Sequence, residues 1–138
     1  MNGITAVICL DDGLGLSFFG KRQSRDRLLI AELTAWSEGK RLFVRPMSAP
    51  LFEGHREVLI DEDPLAACGE GEICFLEALS PAPHLSRIGR LVIYRWNRLY
   101  PSDLRFGQDP TALGFRLVLQ TEFQGSSHEK ITKEVFEK

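Results

Sequence analysis

Cysteine is scarce, and the three present, Cys9, Cys68 and Cys74, show no paired spacing. An odd, unpaired set argues against a disulfide framework and for a reducing compartment. No apolar run approaches the roughly 20 residues that a membrane-spanning helix needs, so no membrane partner is expected. The start has no basic stretch followed by an apolar one, which makes a signal peptide unexpected and the cytoplasm the expected location. An excess of one charge is lacking too. The net charge of −2 exerts no global pull on nucleic acid or anionic membrane. Histidine is limited to His55, His84 and His128, far apart and without HxH or CxxC spacing, so no metal site is expected. Internal repeats, low-complexity tracts and linkers are missing as well.

What is present is an ordinary globular composition. The 138 residues are 43% hydrophobic and 26% charged. That is enough for one domain over 1–138 to bury a core without staples.

The stretch around which the rest can be arranged is DRLLIAELTAWSEGKRLFVRPM, Asp26 to Met47. Ser24 is expected to cap a helix, with Asp26 in the first turn, where the helix dipole favours a carboxylate. Leu29, Leu33 and Trp36, flanked by Leu28 and Ile30, give that helix an apolar face. Gly39 is its expected stop, and Leu42 to Val44 a short buried strand ended by Pro46. Before it, Ile4 to Leu10 (ITAVICL) has the length and β-branching of a fully buried strand. Asp11-Asp12-Gly13 ends that strand. A loop of about a dozen residues, through Gly13-Leu14-Gly15 and Phe18-Phe19-Gly20, is long enough to be functional.

After Met47, Ser48-Ala49-Pro50 can open a short helix with the serine as cap. Val58 to Ile60 reads as a strand, Pro64 to Cys68 as a helical turn, and Ile73 to Leu76 as a buried strand. Ser80 to Pro83 is a loop signal. Ile88 to Trp96 and Phe115 to Phe123 are strands, and Gln124 to Ser127 is a turn. His128 to Lys138 suits a helix through Ile131 and Val135, or one face of an edge strand. Helices alternate with strands early and the end is strand-rich. This predicts an α/β sandwich, mostly parallel with an antiparallel edge.

With those elements in place, the chain resembles the dihydrofolate reductase family over nearly its whole length. ITAVICLDDGLG is similar to the family's opening strand and turn, and DRLLIAEL with GKRLFV to its first helix and second strand. VRPMSAPLF stands where the family opens its next helix, and LSRIGRLVIYRW before its antiparallel end. FRLVLQTEF and EKITKEVFEK are similar to its closing hairpin. The resemblance implies a three-layer sandwich, a mostly parallel central sheet, an antiparallel C-terminal hairpin and a strand for the last segment. It also implies NADPH as cofactor and a pterin substrate.

Residue by residue, Asp26 matches the family's catalytic carboxylate, which helps protonate the pterin. By the dipole alone it is a first-turn charge on an exposed helix end. Arg22-Gln23-Ser24 stand where the family has a proline-tryptophan pair in its lid. Arg45-Pro46 replace a glycine-arginine pair, and Ser48 matches the capping hydroxyl beyond it. The double glycine expected after ICFL is replaced by Glu77-Ala78-Leu79-Ser80. That puts a negative charge where a phosphate would sit and side chains where glycine would admit it. The hydroxyl residue expected late in the long strand is Tyr94.

Other chemistries are weaker. Arg87, Arg90, Arg95, Arg98 and Arg105, interleaved with Tyr94, Trp96 and Tyr100, could contact RNA. The acidic balance favours the alternative, an amphipathic strand with arginines in solvent and aromatics in the core. Cys68 and Cys74 flank Glu70 and Glu72, which should raise their thiol pKa values. Ser126, Ser127 and His128 are adjacent, but adjacency is not triad geometry, and they read as a turn.

The expectation that results is a diverged dihydrofolate-reductase-like domain without the family's reaction. It would bind a small anionic or nucleotide-like ligand, or a partner protein, in a cleft lined by Lys21, Arg22, Arg25, Asp26, Arg45 and Ser48. The alternatives are an NADPH-dependent pterin-type reductase that uses Asp26, and an RNA-binding or RNA-processing protein.

Overall fold

A strand buried on both faces is apolar at nearly every position, and Ile4–Leu10 (β1), with Thr5 its one polar residue, is so placed in the computed structural model, which describes residues 3–138. Asp11 turns the chain by accepting hydrogen bonds from Gly13 and Gly15 N–H at 3.0 and 2.7 Å. The expected loop is then mostly a hairpin. Gly15–Phe18 (β2) pairs antiparallel with Lys21–Arg22 (β3). Its alternation is too short, and too interrupted by glycine, to stand out as a strand pattern.

The first helix, Arg27–Trp36 (α1), is capped by Asp26 rather than Ser24. Asp26 has the extended backbone of an N-cap, and its carboxylate accepts from Leu28 and Leu29 N–H. Leu29, Ile30 and Leu33 are buried as expected, but Leu28 faces solvent at 46% exposure. Leu42–Val44 (β4) follows. The segment opened by Ser48 is a 3-10 turn, Ala49–Phe52, and the serine hydroxyl does not cap it. Leu59–Ile60 (β5), Pro64–Ala67 (α2) and Ile73–Phe75 (β6) come next. The proline-rich stretch becomes a 3-10 segment, Ala82–Arg87, leading into Ile88–Arg95 (β7). Leu104–Arg105 (β8) joins β2 and β3 in a small second sheet. Arg116–Phe123 (β9) and Ile131–Glu137 (β10) end the chain.

The main sheet has the order β5-β4-β6-β1-β7-β10-β9. All pairs from β5 to β7 are parallel, and β10 runs antiparallel to both β7 and β9. The last segment is therefore a strand, as the family resemblance implied. Its two neighbours bury it on both edges, which a helix there could not offer.

The pleat separates two cores. Val7, Val92 and Tyr94 point to one face, under Leu29, Ile30 and Leu33 of α1. Ala6, Ile8, Leu10, Leu91 and Ile93 point to the other, against Leu16, Leu65 and Phe106. The period-two alternation of a two-faced strand was present all along, but apolar residues on both faces hide it. The result is a three-layer α/β sandwich with a mostly parallel sheet and an antiparallel C-terminal hairpin.

Leu33 is fully buried between α1 and the sheet. Leu33→Ala should destabilise the protein by about 2–5 kcal/mol through lost burial and a residual cavity. Urea unfolding followed by circular dichroism would measure it, and a change below about 0.5 kcal/mol would contradict this packing.

Candidate functional site

Asp26 is 3% exposed, and both of its carboxylate oxygens are bonded. Oδ1 accepts from Leu28 N–H, Leu29 N–H and Ser126 N–H at 2.9, 3.2 and 2.8 Å. Oδ2 accepts from Ser127 N–H at 2.8 Å and from His128 Nδ1 at 3.0 Å. The start of α1 and the turn before β10 are thereby fixed to one side chain. Burial pushes the Asp26 pKa up, but the His128 bond and the Ser126, Ser127 and Leu29 N–H groups outweigh it and hold the carboxyl well below the usual carboxylate range. Asp26 is neither exposed nor a free first-turn charge.

His128 extends the network. Its Nε2 lies 3.1 Å from Ser24 Oγ and 2.9 Å from the Tyr100 hydroxyl. Trp96 stacks on the ring with centroids 4.5 Å apart. The Tyr94 hydroxyl, at the family's late-strand hydroxyl position, donates to Glu32 and accepts from Trp36 Nε1 at 2.8 Å. Burial first, and then Glu32, push the phenol pKa up. Lys133 closes this second cluster at 2.9 Å from Glu32.

Three of the residues expected to hold a ligand meet around Glu77. Arg22 Nε donates to its two oxygens at 3.1 and 3.0 Å, and Ser48 Oγ donates to Oε1 at 2.8 Å. Arg22 also reaches the Met47 carbonyl at 2.6 Å, and Arg45 Nη1 the carbonyls of Glu77 and Ala78 at 3.4 and 3.2 Å. Arg45 Nε is buried with no partner among the described residues. Glu77 thus occupies the focus of these donors from inside the protein. Lys21 and Arg25 stand apart from it, both exposed.

Arg25 instead borders a cavity of about 530 Å³ between the start of α1 and the 3-10 turn Ala49–Phe52. Arg27, His55, Glu53 and the Ser126-Ser127 turn share its wall with Asp26. A smaller cavity of about 370 Å³ lies beside Gln23 and Tyr100, under Phe18, Phe19 and Lys21.

Of the five late arginines, Arg90 and Arg95 pair across the sheet with Glu137 and Glu134, each at 2.7 Å. Arg87 donates to the Leu65 and Cys68 carbonyls, while Tyr94 and Trp96 are in the core. Among the described residues no group of three or more His, Cys, Asp or Glu side chains could hold a metal ion, and no helix is long and apolar enough to cross a membrane. The two neighbouring buried thiols diverge: the bond between them, and then burial, raise Cys74, and the same bond lowers Cys68. The flanking glutamates therefore do not set the direction at Cys68.

Sequence reasoning missed His128 as the partner of Asp26, and Ser24 and Tyr100 as partners of His128. A usable signal was the single histidine at the head of the last segment, beside two small turn residues.

No protein-family model matches the chain, and no curated protein does. Among solved structures, the chain is similar to dihydrofolate reductase from Enterococcus faecalis complexed with NADP(H) and RAB-propyl. The TM-score is 0.67 at 10% identity, over 98% of this chain and 95% of that one. At that identity the likeness carries the fold, which is dihydrofolate-reductase-like.

Two outcomes follow from the Asp26 network. The Asp26 pKa is depressed on folding, so its contribution to stability is complete above the ordinary value of 3.8 and is lost as the pH falls below it. Urea midpoints measured from pH 6 to pH 2 should drop chiefly below about pH 4, and the acid drop should shrink in Asp26→Asn. Gly125 packs its Cα against the Asp26 carboxylate and Ile131, so that an added Cβ would overlap both. Gly125→Ala should cost about 1–3 kcal/mol of stability, and unchanged unfolding would contradict the contact.

Proposed function

We propose that the protein is a ligand-binding domain of dihydrofolate-reductase-like fold that carries out no hydride transfer. It binds a small anionic, nucleotide-like ligand in the cavity between α1 and the 3-10 turn Ala49–Phe52. The observation that carries this reading is the uneven distribution of partners. Arg22 and Ser48 are bonded to Glu77, so an incoming phosphate there would have to displace an internal carboxylate and face its charge. Asp26 has its acceptors filled by backbone N–H groups and His128, which removes it as a ready proton donor to a pterin.

Arg25 and Arg27, by contrast, project from the cavity wall with no ion pair among the described residues, beside His55. Two guanidinium groups facing one volume suit a phosphate or carboxylate, which they can bind in bidentate fashion. Ile30, Pro50 and Leu51 line the same cavity and offer an apolar surface to a flat base. Three free thiols accord with a cytoplasmic setting.

Thermal melting of the full chain with inorganic pyrophosphate, ATP, GMP, NADPH and folate, added one at a time, tests the reading. A ligand at about 100 times its Kd adds roughly 2.7 kcal/mol to the folded state. Pyrophosphate or a nucleotide should raise the midpoint, and Arg25→Ala with Arg27→Ala should abolish the rise. NADPH oxidation with dihydrofolate as acceptor should stay at the level of the protein-free control. Measurable turnover that falls in Asp26→Asn would overturn the proposal in favour of the reductase.

A further inference from the structure

Asp26, His128 and Ser24 are brought into line from three separate segments. Oδ2 of Asp26 is 3.0 Å from His128 Nδ1, and His128 Nε2 is 3.1 Å from Ser24 Oγ. Nucleophile, base and orienting carboxylate thus stand in consecutive hydrogen-bond contact, which is the arrangement that activates a serine. The proton positions follow from the donors and acceptors. An ionised Asp26 can only accept, so Nδ1 carries the hydrogen, and whenever the ring is neutral Nε2 is left as an acceptor. Trp96, stacked on the imidazole, fixes its plane.

The Tyr100 hydroxyl also reaches Nε2, at 2.9 Å, and lies 3.4 Å from Ser24 Oγ. One nitrogen lone pair takes one strong hydrogen bond. When Tyr100 donates to Ser24 Oγ, the serine proton is directed to Nε2, the orientation needed for attack. Asp26 and His128 are almost fully buried, whereas Ser24 is half-buried and reachable. A small cavity is lined by Phe18, Phe19, Tyr100 and Pro101 together with Lys21, Arg22 and Gln23, the residue before Ser24. Gln23, the neighbour of Ser24, has a buried side-chain oxygen without a partner among the described residues.

We infer that Ser24 is a nucleophile, with His128 as its base and Asp26 positioning the imidazole, and that the centre hydrolyses small carboxylic esters with an apolar acyl group. The inference is independent of the anion cavity. Ser24 Oγ bonds to the ester carbonyl carbon as its proton passes to His128 Nε2. The bond from that carbon to the alcohol oxygen then breaks, and the alcohol leaves with the proton from Nε2. Water attacks the acyl-serine and gives a proton to Nε2. The carboxylic acid departs, and the proton returns to Ser24 Oγ. The cavity lined by Phe18, Phe19, Tyr100 and Pro101 takes the acyl group.

The test is covalent labelling of the folded full chain with a fluorophosphonate, followed by peptide mass spectrometry, alongside hydrolysis of p-nitrophenyl butyrate. The expected result is one adduct on Ser24, none in Ser24→Ala, and labelling slower by about 100-fold or more in His128→Gln. In Asp26→Asn the pH of half-maximal labelling should move downward, because the charge beside the imidazole is gone. A purely structural Asp26 would leave it in place. If His128→Gln does not fold, the native chain is compared with the chain in urea, and only the native chain should label. No adduct on Ser24 in the folded protein, equal labelling in folded His128→Gln, or equal labelling of native and unfolded chains would overturn the inference.

Discussion

The structure depends most on the ionised Asp26 carboxylate, because a buried charge is tolerated only when its acceptors are filled. Here the donors come from two places 100 residues apart: the first turn of α1, and the Ser126-Ser127-His128 turn. The helix start cannot shift without stripping donors from the carboxylate, and neither can the turn that begins the closing hairpin. Gly125 belongs to the same constraint, since the carboxylate packs where its side chain would be. His128 takes its orientation from Asp26, and through it Ser24 and Tyr100 take theirs. One residue therefore connects a helix cap, a hairpin register and a hydrogen-bond relay.

A second carboxylate organises the other side. Glu77 follows β6, at the carboxyl end of a parallel strand, where ligands of open α/β sheets tend to bind. Its partners Arg22 and Ser48 come from β3 and from the segment after β4. An internal anion that gathers these donors makes the region self-sufficient. Arg25 and Arg27, at the start of α1, have no ion pair among the described residues and border a separate cavity.

Most of the fold was legible in the sequence, because burial writes itself into composition. The run ITAVICL marked β1 to the residue, LFV marked β4, and ICFL ran one residue past the end of β6. What failed was local chemistry with more than one solution. Ser24 and Asp26 are both good caps, and only the position of the 124–128 turn decides between them: it supplies the donors that bury Asp26 and leaves Ser24 to His128. Ser48 has the pattern of a cap, yet a buried glutamate 29 residues later takes its hydroxyl. Leu28 counts as apolar in any periodicity, but it lies on the outer side of α1. The hairpin from Gly15 to Arg22 was hidden by its glycines. At the site, Asp26 was visible and its partners were not, since the contacts that define it join positions about 100 residues apart.

The contrast between core and site explains how a fold can persist at 10% identity. The two cores ask only that alternate residues on each strand be apolar and fill the volume, and many sequences satisfy that. A site asks that a particular side chain end at a particular atom. Tyr94 shows how specific such an endpoint is. It keeps a hydroxyl on the strand position where the family resemblance calls for one, but the ring carries that hydroxyl to Glu32 and Trp36. Asp26 then satisfies its acceptors from the turn before β10, and that turn brings His128. Any chemistry the chain performs should be sought along the partners Asp26 has here, rather than along those the fold would suggest.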